Sequence, residues 1–223
     1  EFTSRILLLA TGIRDELPKL KNLERFWGKT VHVCPYCDGW EHRDTSLAVY
    51  GRGDEGAELA LEILGWTDDL TLCTDGPANI SPENAAKLER FGIRVIEEPV
   101  TELEGEGEQI TGVRFANGEL LECSGLFICA RQYQCSDLAA ELGCELDESG
   151  TQVEHCDTTS SVPGLYVAGN TCTGLQLVIM AAADGTQAAF KINQALIEED
   201  LEKANSAIAE SKPIPQPNTV VTT

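Results

Sequence analysis

The sequence predicts an α/β protein with a parallel sheet, and three observations predict it: short unbroken apolar runs, glycine turns directly after them, and helix-like stretches between them. The runs are RILLLA (5–10), SLAVY (46–50), DLTLCT (69–74), GLFICA (125–130) and GLYVAGN (164–170). RILLLA and SLAVY in particular have the continuous apolar character of buried parallel strands.

Taken in order, residues 5–10 form a buried strand that ends in a turn at Thr11-Gly12. Residues 15–28 are polar and broken by proline, as in a connection. SLAVY is the next buried strand, GRGDEG (51–56) a tight turn, and 57–65 a helix. DLTLCT is a strand ending at Asp75-Gly76. Ser81 as N-cap and Pro82 in the first turn open a helix that runs to about Phe91. IRVIEEPV and TGVRFANGELLEC read as short strands, with Asn117-Gly118 as a hairpin signal. After GLFICA and GLYVAGN, an Ala-rich helix covers about 175–196 with a charged continuation. The last stretch, SKPIPQPNTVVTT, has three prolines and no periodicity, so it is expected to be disordered.

Composition narrows the partners. Thirty-seven acidic residues against sixteen Lys and Arg give a net charge of −21, which repels nucleic-acid backbones and anionic lipid. The plain alternative reading of that charge is solubility. No apolar run approaches the ~20 residues of a membrane span. Nine cysteines, an odd number at irregular spacing, argue against a secreted disulfide framework and for a reducing cytoplasm.

Two motifs carry chemistry. HVCPYCDGWEHRD (32–44) holds a C-x-x-C pair, Cys34 and Cys37, followed at once by Asp38. Such a pair can cycle between dithiol and disulfide, and a carboxyl beside it can give and take the proton that exchange requires. A zinc site built from His32, Cys34, Cys37 and His42 is the competitor. It lacks the second C-x-x-C knuckle usual in structural zinc sites, so no metal is expected. An inert structural pair is the third option. Most of the other cysteines (73, 123, 129, 135, 144, 156, 172) sit in apolar contexts and read as small core residues.

The second motif is the turn Gly51-Arg52-Gly53-Asp54-Glu55-Gly56, a G-x-G-x-x-G between a strand and a helix. Gly51 would allow the sharp turn, Gly53 backbone approach to a pyrophosphate, and Gly56 close packing of helix on strand. Asp75, 24 residues after Gly51, stands near the place of a ribose-binding carboxylate. No basic residue lies between Gly53 and Ala86, so the site is expected to favour NADH over NADPH, with a relic that binds neither as the alternative. An ordinary βα turn would look the same locally.

In combination, ATG (10–12), CPYCDG (34–39), GRGDEG (51–56), TSSVPGLYVAGN (159–170) and GLQLVIMAAADGTQAA (174–189) resemble the low-molecular-weight thioredoxin reductases, most closely the CPYC branch of thioredoxin-reductase-like flavoproteins. The resemblance implies two Rossmann-like domains, an NAD(P)-type domain inserted into an FAD-binding domain. Residues 1–17 and 125–200 would belong to the FAD domain and 18–124 to the insert, with 201–223 as helix end and tail. It also implies FAD as cofactor, with Thr11, Gly12, Gly169, Asn170, Gln176 and Leu177 around it. The family usually has Asp where Asn170 stands; Asn keeps a donor and an acceptor, so binding is expected to persist. The helix opening at Gln176 would direct its positive end at the flavin; the small residues Ala181, Ala182, Ala183 and Gly185 would permit close packing.

By the same resemblance Cys37 is the flavin-side sulfur, Cys34 the sulfur that attacks substrate, and Asp38 the acid–base. The implied partners are a thioredoxin-like protein or a small-molecule disulfide, ferredoxin as an electron donor, and a second copy in a homodimer. Two departures stand out. CTDGPANISPE replaces the family's arginine cluster for NADPH, and the FAD fingerprint that the family carries well before ATG does not occur in this sequence. The expectation is an FAD-dependent thiol–disulfide oxidoreductase completed by an N-terminal portion or a partner. The alternative is a non-catalytic dinucleotide-binding relative.

Overall fold

The computed structural model describes residues 3–147, 150, 152–153, 158–172 and 174–211. The chain divides into two units, Glu1–Arg14 with Tyr133–Thr223, and Asp15–Gln132 between them. The outer unit begins with β1 (Leu7–Leu9). The chain then enters the inner unit along β2 (Ile13–Glu16).

The inner unit continues through α1 (Leu23–Phe26), β3 (Val31–His32), α2 (Pro35–Asp38), β4 (Leu47–Tyr50), α3 (Gly53–Ile63), β5 (Leu70–Cys73), α4 (Pro82–Arg90) and β6 (Arg94–Ile96). Three antiparallel strands follow, β7 (Val100–Glu106), β8 (Gln109–Phe115) and β9 (Leu120–Glu122), and then β10 (Gly125–Ile128). Five strands pair in parallel in the order β3-β10-β4-β5-β6.

The apolar runs explain why this sheet is covered on both sides. Successive residues of a strand point to opposite faces. Leu47, Val49 and Phe127 pack with Ala57, Ala60 and Ile63 of α3 and with Leu88 of α4. Ala48, Leu126 and Ile128 pack with Phe26, Leu103, Val113 and Phe115, from α1 and the β7–β9 layer. A run with an apolar residue at every position therefore feeds two cores at once.

The strand at 125–128 belongs to this sheet, paired to both β3 and β4, so the chain leaves the inner unit only at 132/133. It does so within β11 (Arg131–Gln134), which pairs with β2. The outer unit then holds α5 (Leu138–Glu141), β12 (Leu165–Val167) and the long α6 (Val178–Ser211). β12 pairs in parallel with β1, Leu7 opposite Leu165 and Leu9 opposite Val167. Residues 212–223, expected to be disordered, lie outside the described residues, as does Cys156. Among the described residues no helix is long and apolar enough to cross a membrane.

Four strands, β2, β3, β7 and β11, escape the sequence reading, and β7 is the longest of them. β7 covers TELEGEGE-type sequence rich in acids, and two register shifts against β8, between Val100 and Glu102 and between Glu104 and Gly105, break its alternation. Gly105 is required here, because a Cβ would stand 2.1 Å from the Gln109 carbonyl oxygen and 2.7 Å from the ring of buried Phe26.

Candidate active site

The redox loop leaves the C-terminal end of β3 and turns at once into α2. Cys34 is extended (φ −111°, ψ 110°) and caps α2, with Pro35 in the first turn, where its missing N–H costs nothing. The Cys37 N–H donates to Cys34 Sγ at 3.2 Å. Cys34 is half-buried and Cys37 exposed, both as free thiols. Burial first, then the hydrogen bond and charge of Cys34 and the charge of Asp38, push the Cys37 thiol up to about 12. Gly39 ends α2 beneath Trp66, whose indole would lie 2.4 Å from a Cβ at that position, so the glycine of CPYCDG is there for close approach. Tyr36 and Trp40 are exposed beside the pair, with the Arg43 guanidinium 4.0 Å from the Trp40 ring centre.

The protonation pattern sets an expected outcome for alkylation. Exposure alone would favour Cys37, but a thiol held protonated is a poor nucleophile. Iodoacetamide at neutral pH, followed by peptide mass mapping, should label Cys34 at least about tenfold faster than Cys37.

Asp38 is half-exposed, with Oδ1 3.3 Å from Nδ1 of buried His32. His32 Nε2 faces His42 Nε2 at 3.0 Å. The two histidines weighed as zinc ligands thus face each other, and among the described residues no three His, Cys, Asp or Glu side chains gather as metal ligands would.

The glycine turn follows β4, at the point where the sheet order runs one way to β5 and the other to β10. Such a switch point is where open α/β sheets bind ligands. Gly51 and Gly56 touch: a Cβ on Gly56 would lie 2.6 Å from the Gly51 carbonyl carbon, and one on Gly51 2.6 Å from Cys129 Sγ. Gly53 takes φ +65°, the left-handed region that suits glycine.

The polar groups of this turn are already engaged by residues 74–84. The Gly53 N–H donates to the Ala78 carbonyl at 2.8 Å. Asp54 Oδ1 accepts from Ser81 N–H at 2.9 Å and Asn84 Nδ2 at 3.0 Å, and these bonds, the Ser81 backbone first, hold its carboxyl below the usual range. Arg52 donates to the carbonyls of Thr74 and Asp75. Asp75 accepts from the Tyr50 hydroxyl at 2.9 Å and from Val100 N–H at 2.8 Å. Burial and then Asp75 push the Tyr50 phenol up, so it stays a donor. Glu55 is exposed; with burial as the larger cause, it helps push the Cys129 thiol beneath the turn up to about 12.

A cleft of about 460 Å³ in the outer unit brings together five of the other predicted positions: Gly12, Gly169, Asn170, Gln176 and Leu177. Gly12 (φ +69°) donates its N–H to Thr171 Oγ1 at 2.9 Å, and Gly169 (φ +68°) donates to Asp184 Oδ2 at 3.2 Å. Thr11 is exposed next to Gly12 and is not among the lining residues. Sequence reasoning missed Thr171 and Asp184, each of which braces a glycine of the cleft. Asp184 stands in the quoted Ala-rich motif, where its charge among small residues was the available signal. Nearby Cys172 is disulfide-bonded, one departure from the free core cysteines expected for most of these positions.

Comparison with known proteins puts these features in company. Residues 1–185 match the family model described as pyridine nucleotide-disulphide oxidoreductase. The crystal structure of HlmI is 32% identical with a TM-score of 0.86, covering 93% of this chain and 65% of that one. A putative thioredoxin reductase TrxB from Bacillus anthracis is 34% identical with a TM-score of 0.78, covering 87% of this chain and 65% of that one. Thioredoxin reductase sirT of Leptosphaeria maculans is 26% identical over 213 residues, 88% of this chain and 64% of that protein. The chain therefore spans less than two thirds of the length of these relatives.

Proposed function

The chain belongs to the pyridine nucleotide-disulphide oxidoreductase family, and from that premise we propose that it is the disulfide-exchanging part of an FAD-dependent thiol–disulfide oxidoreductase. The observation that carries this reading is the asymmetry of the cysteine pair: Cys34 Sγ receives a backbone N–H while the Cys37 thiol is held protonated. Cys34 is then the sulfur that attacks substrate, Cys37 the one that resolves, and Asp38 the residue that moves the proton. A thioredoxin-like protein or a small-molecule disulfide fits a pair flanked by exposed Tyr36 and Trp40.

The cleft of the outer unit supports FAD. Its floor of Ala10, Gly12, Ala168, Gly169 and Ala181 is small enough for a flat ring to approach backbone, and α6 begins at its edge. Gln176 and Leu177 would hold the ring near that helix start, and Gly12, Gly169 and Asn170 would line the linker to the nucleotide. Bound there, the flavin supplies a two-electron carrier; the chain supplies its seat and the thiol pair.

The nucleotide turn of the inner unit supports the reading in which neither NADH nor NADPH is the electron donor. An incoming pyrophosphate would compete with the Ala78 carbonyl for Gly53, and a ribose with Tyr50 and Val100 for Asp75. Electrons would then enter from a dithiol substrate or from a small electron-transfer protein such as ferredoxin. Among the described residues seven cysteines are free thiols and Cys172 is disulfide-bonded; the free thiols suit a reducing cytoplasm. Exposed Phe190, Ile197, Leu201 and Ile208 along α6 suit a homodimer.

Anaerobic titration of the full-length protein tests both parts. A dithiol such as dithiothreitol should bleach the bound flavin, and neither nucleotide should show saturable binding below about 1 mM. A colourless protein, or flavin that a dithiol leaves oxidised, would contradict the flavoenzyme reading. A micromolar dissociation constant for either nucleotide would contradict only the engaged turn.

A further inference from the structure

Behind Asp38 lies a pair of titratable side chains for which the exchange reaction above has no use. His32 ends β3 and is 7% exposed, beside the Phe127 ring (centroids 5.7 Å apart) and the His42 ring (5.0 Å). Its Nδ1 lies 3.3 Å from Asp38 Oδ1. Its Nε2 lies 3.1 Å from the Lys29 carbonyl oxygen and 3.0 Å from His42 Nε2.

These contacts assign the hydrogens. A carbonyl oxygen only accepts, so His32 Nε2 carries a hydrogen. His42 Nε2, facing the same hydrogen, is an acceptor, which leaves the His42 hydrogen on Nδ1. Burial first and then His32 lower the His42 pKa, against the pull of Asp38 and Glu41, consistent with a neutral acceptor. One proton position remains, between His32 Nδ1 and Asp38 Oδ1. When filled, it is either a carboxylic acid donating to Nδ1 or an imidazolium donating to the carboxylate, and both arrangements hold the same proton.

We propose that His32 is a positioning residue for disulfide exchange: with Nε2 pinned by Lys29 and His42, its Nδ1 shares one proton with Asp38 Oδ1 and aims it for delivery to the leaving thiolate. The proposal rests on the thiol–disulfide reading. In the first step the Cys34 thiolate bonds to one sulfur of a substrate RS–SR′. The S–S bond breaks, and R′S⁻ leaves with its electron pair and takes the proton shared by Asp38 and His32. Cys37 then attacks the Cys34 sulfur. Its proton passes by way of Asp38 to the departing RS⁻, and the Cys34–Cys37 disulfide forms. Two electrons have moved from the pair to the substrate, which leaves as two thiols.

Leaving-group dependence distinguishes this from a packing role. The full-length flavin-loaded protein, reduced and freed of reductant, is mixed with either of two probes. One is 5,5′-dithiobis(2-nitrobenzoate), whose aromatic thiolate leaves without a proton. The other is 2-hydroxyethyl disulfide, whose aliphatic thiolate benefits from one. His32→Asn should slow the aliphatic exchange about 10- to 100-fold and the aromatic exchange less than about twofold. Equal losses on both probes, or no loss on the aliphatic one, overturn the proposal. Unaltered protein that exchanges with neither probe removes the thiol–disulfide reading, and the proposal with it. Should H32N not fold, ¹⁵N spectra of the histidine rings in the unaltered protein decide. A hydrogen on Nε2 of His32 and on Nδ1 of His42 supports the assignment, and a bare His32 Nε2 overturns it.

Discussion

Cys34→Ser eliminates the fast reaction with a disulfide probe, by more than about 10³-fold, while Cys37→Ser keeps that first reaction and stalls after it. The reason lies in the local geometry of the loop. Cys34 Sγ sits at the N-cap position of α2 with the Cys37 N–H donating to it. The Cys37 thiol, pushed up to about 12, becomes reactive only when its proton can be handed on and a neighbouring mixed disulfide is present to attack. A serine hydroxyl at 34 offers no comparable nucleophile near neutral pH. Rapid mixing with 5,5′-dithiobis(2-nitrobenzoate) should give one fast equivalent of released thiolate from Cys37→Ser and none from Cys34→Ser. Exposed Cys135 adds a slow phase common to both. Steady turnover should be lost in each. A fast equivalent from Cys34→Ser would reverse the assigned roles.

Gly56→Ala is the substitution in the inner unit with the largest expected effect on stability. Its new methyl would meet the Gly51 carbonyl carbon at 2.6 Å and oxygen at 2.7 Å, and both are backbone. Side chains can swing away from a methyl, but here α3 would have to lift off the end of β4. Gly51 cannot yield either, since it rests against Cys129 on its other side. A cost of about 3 kcal/mol is expected, near the upper end for overpacking, with a fall of roughly 10 °C in the unfolding midpoint. Gly65→Ala is the control: the nearest atom to its Cβ would be the Glu62 carbonyl oxygen at 3.5 Å, an ordinary contact, so a change within about 0.5 kcal/mol is expected. Similar midpoints for the two variants would show that the turn is looser than these distances say.

Which parts of the fold could be read from the residues follows from how local each signal is. β4, α3, β5 and α4 were legible because each apolar run is continuous and each boundary carries its own glycine, serine or proline. The hairpin at Asn117-Gly118 was legible for the same reason. β7 was not, because its bulges shift the inward positions partway along. The cysteine pair and Asp38 are adjacent in sequence and could be picked out at once. His32 and His42 stood in the same quoted stretch, but their contact depends on the 3₁₀ turn Gly39–His42, which the sequence does not announce. The outer cleft joins Gly12 to Gly169 across the whole inner unit, so only the resemblance to a family brought them together. Asp75 was placed at the end of its strand correctly, but the direction of its carboxylate depends on Tyr50 and Val100, one from a neighbouring strand and one from a segment far along the chain.

The carboxylate of Asp54, held by Ser81 and Asn84, has a practical bearing on any attempt to rewire this protein to a nicotinamide donor. Grafting arginines after β5 would supply cations for a 2′-phosphate, yet the mouth of α3 would still carry its own anion and its own carbonyl plug at Ala78. Redesign has to begin by shortening or replacing residues 76–81 and neutralising Asp54, and only then add positive charge.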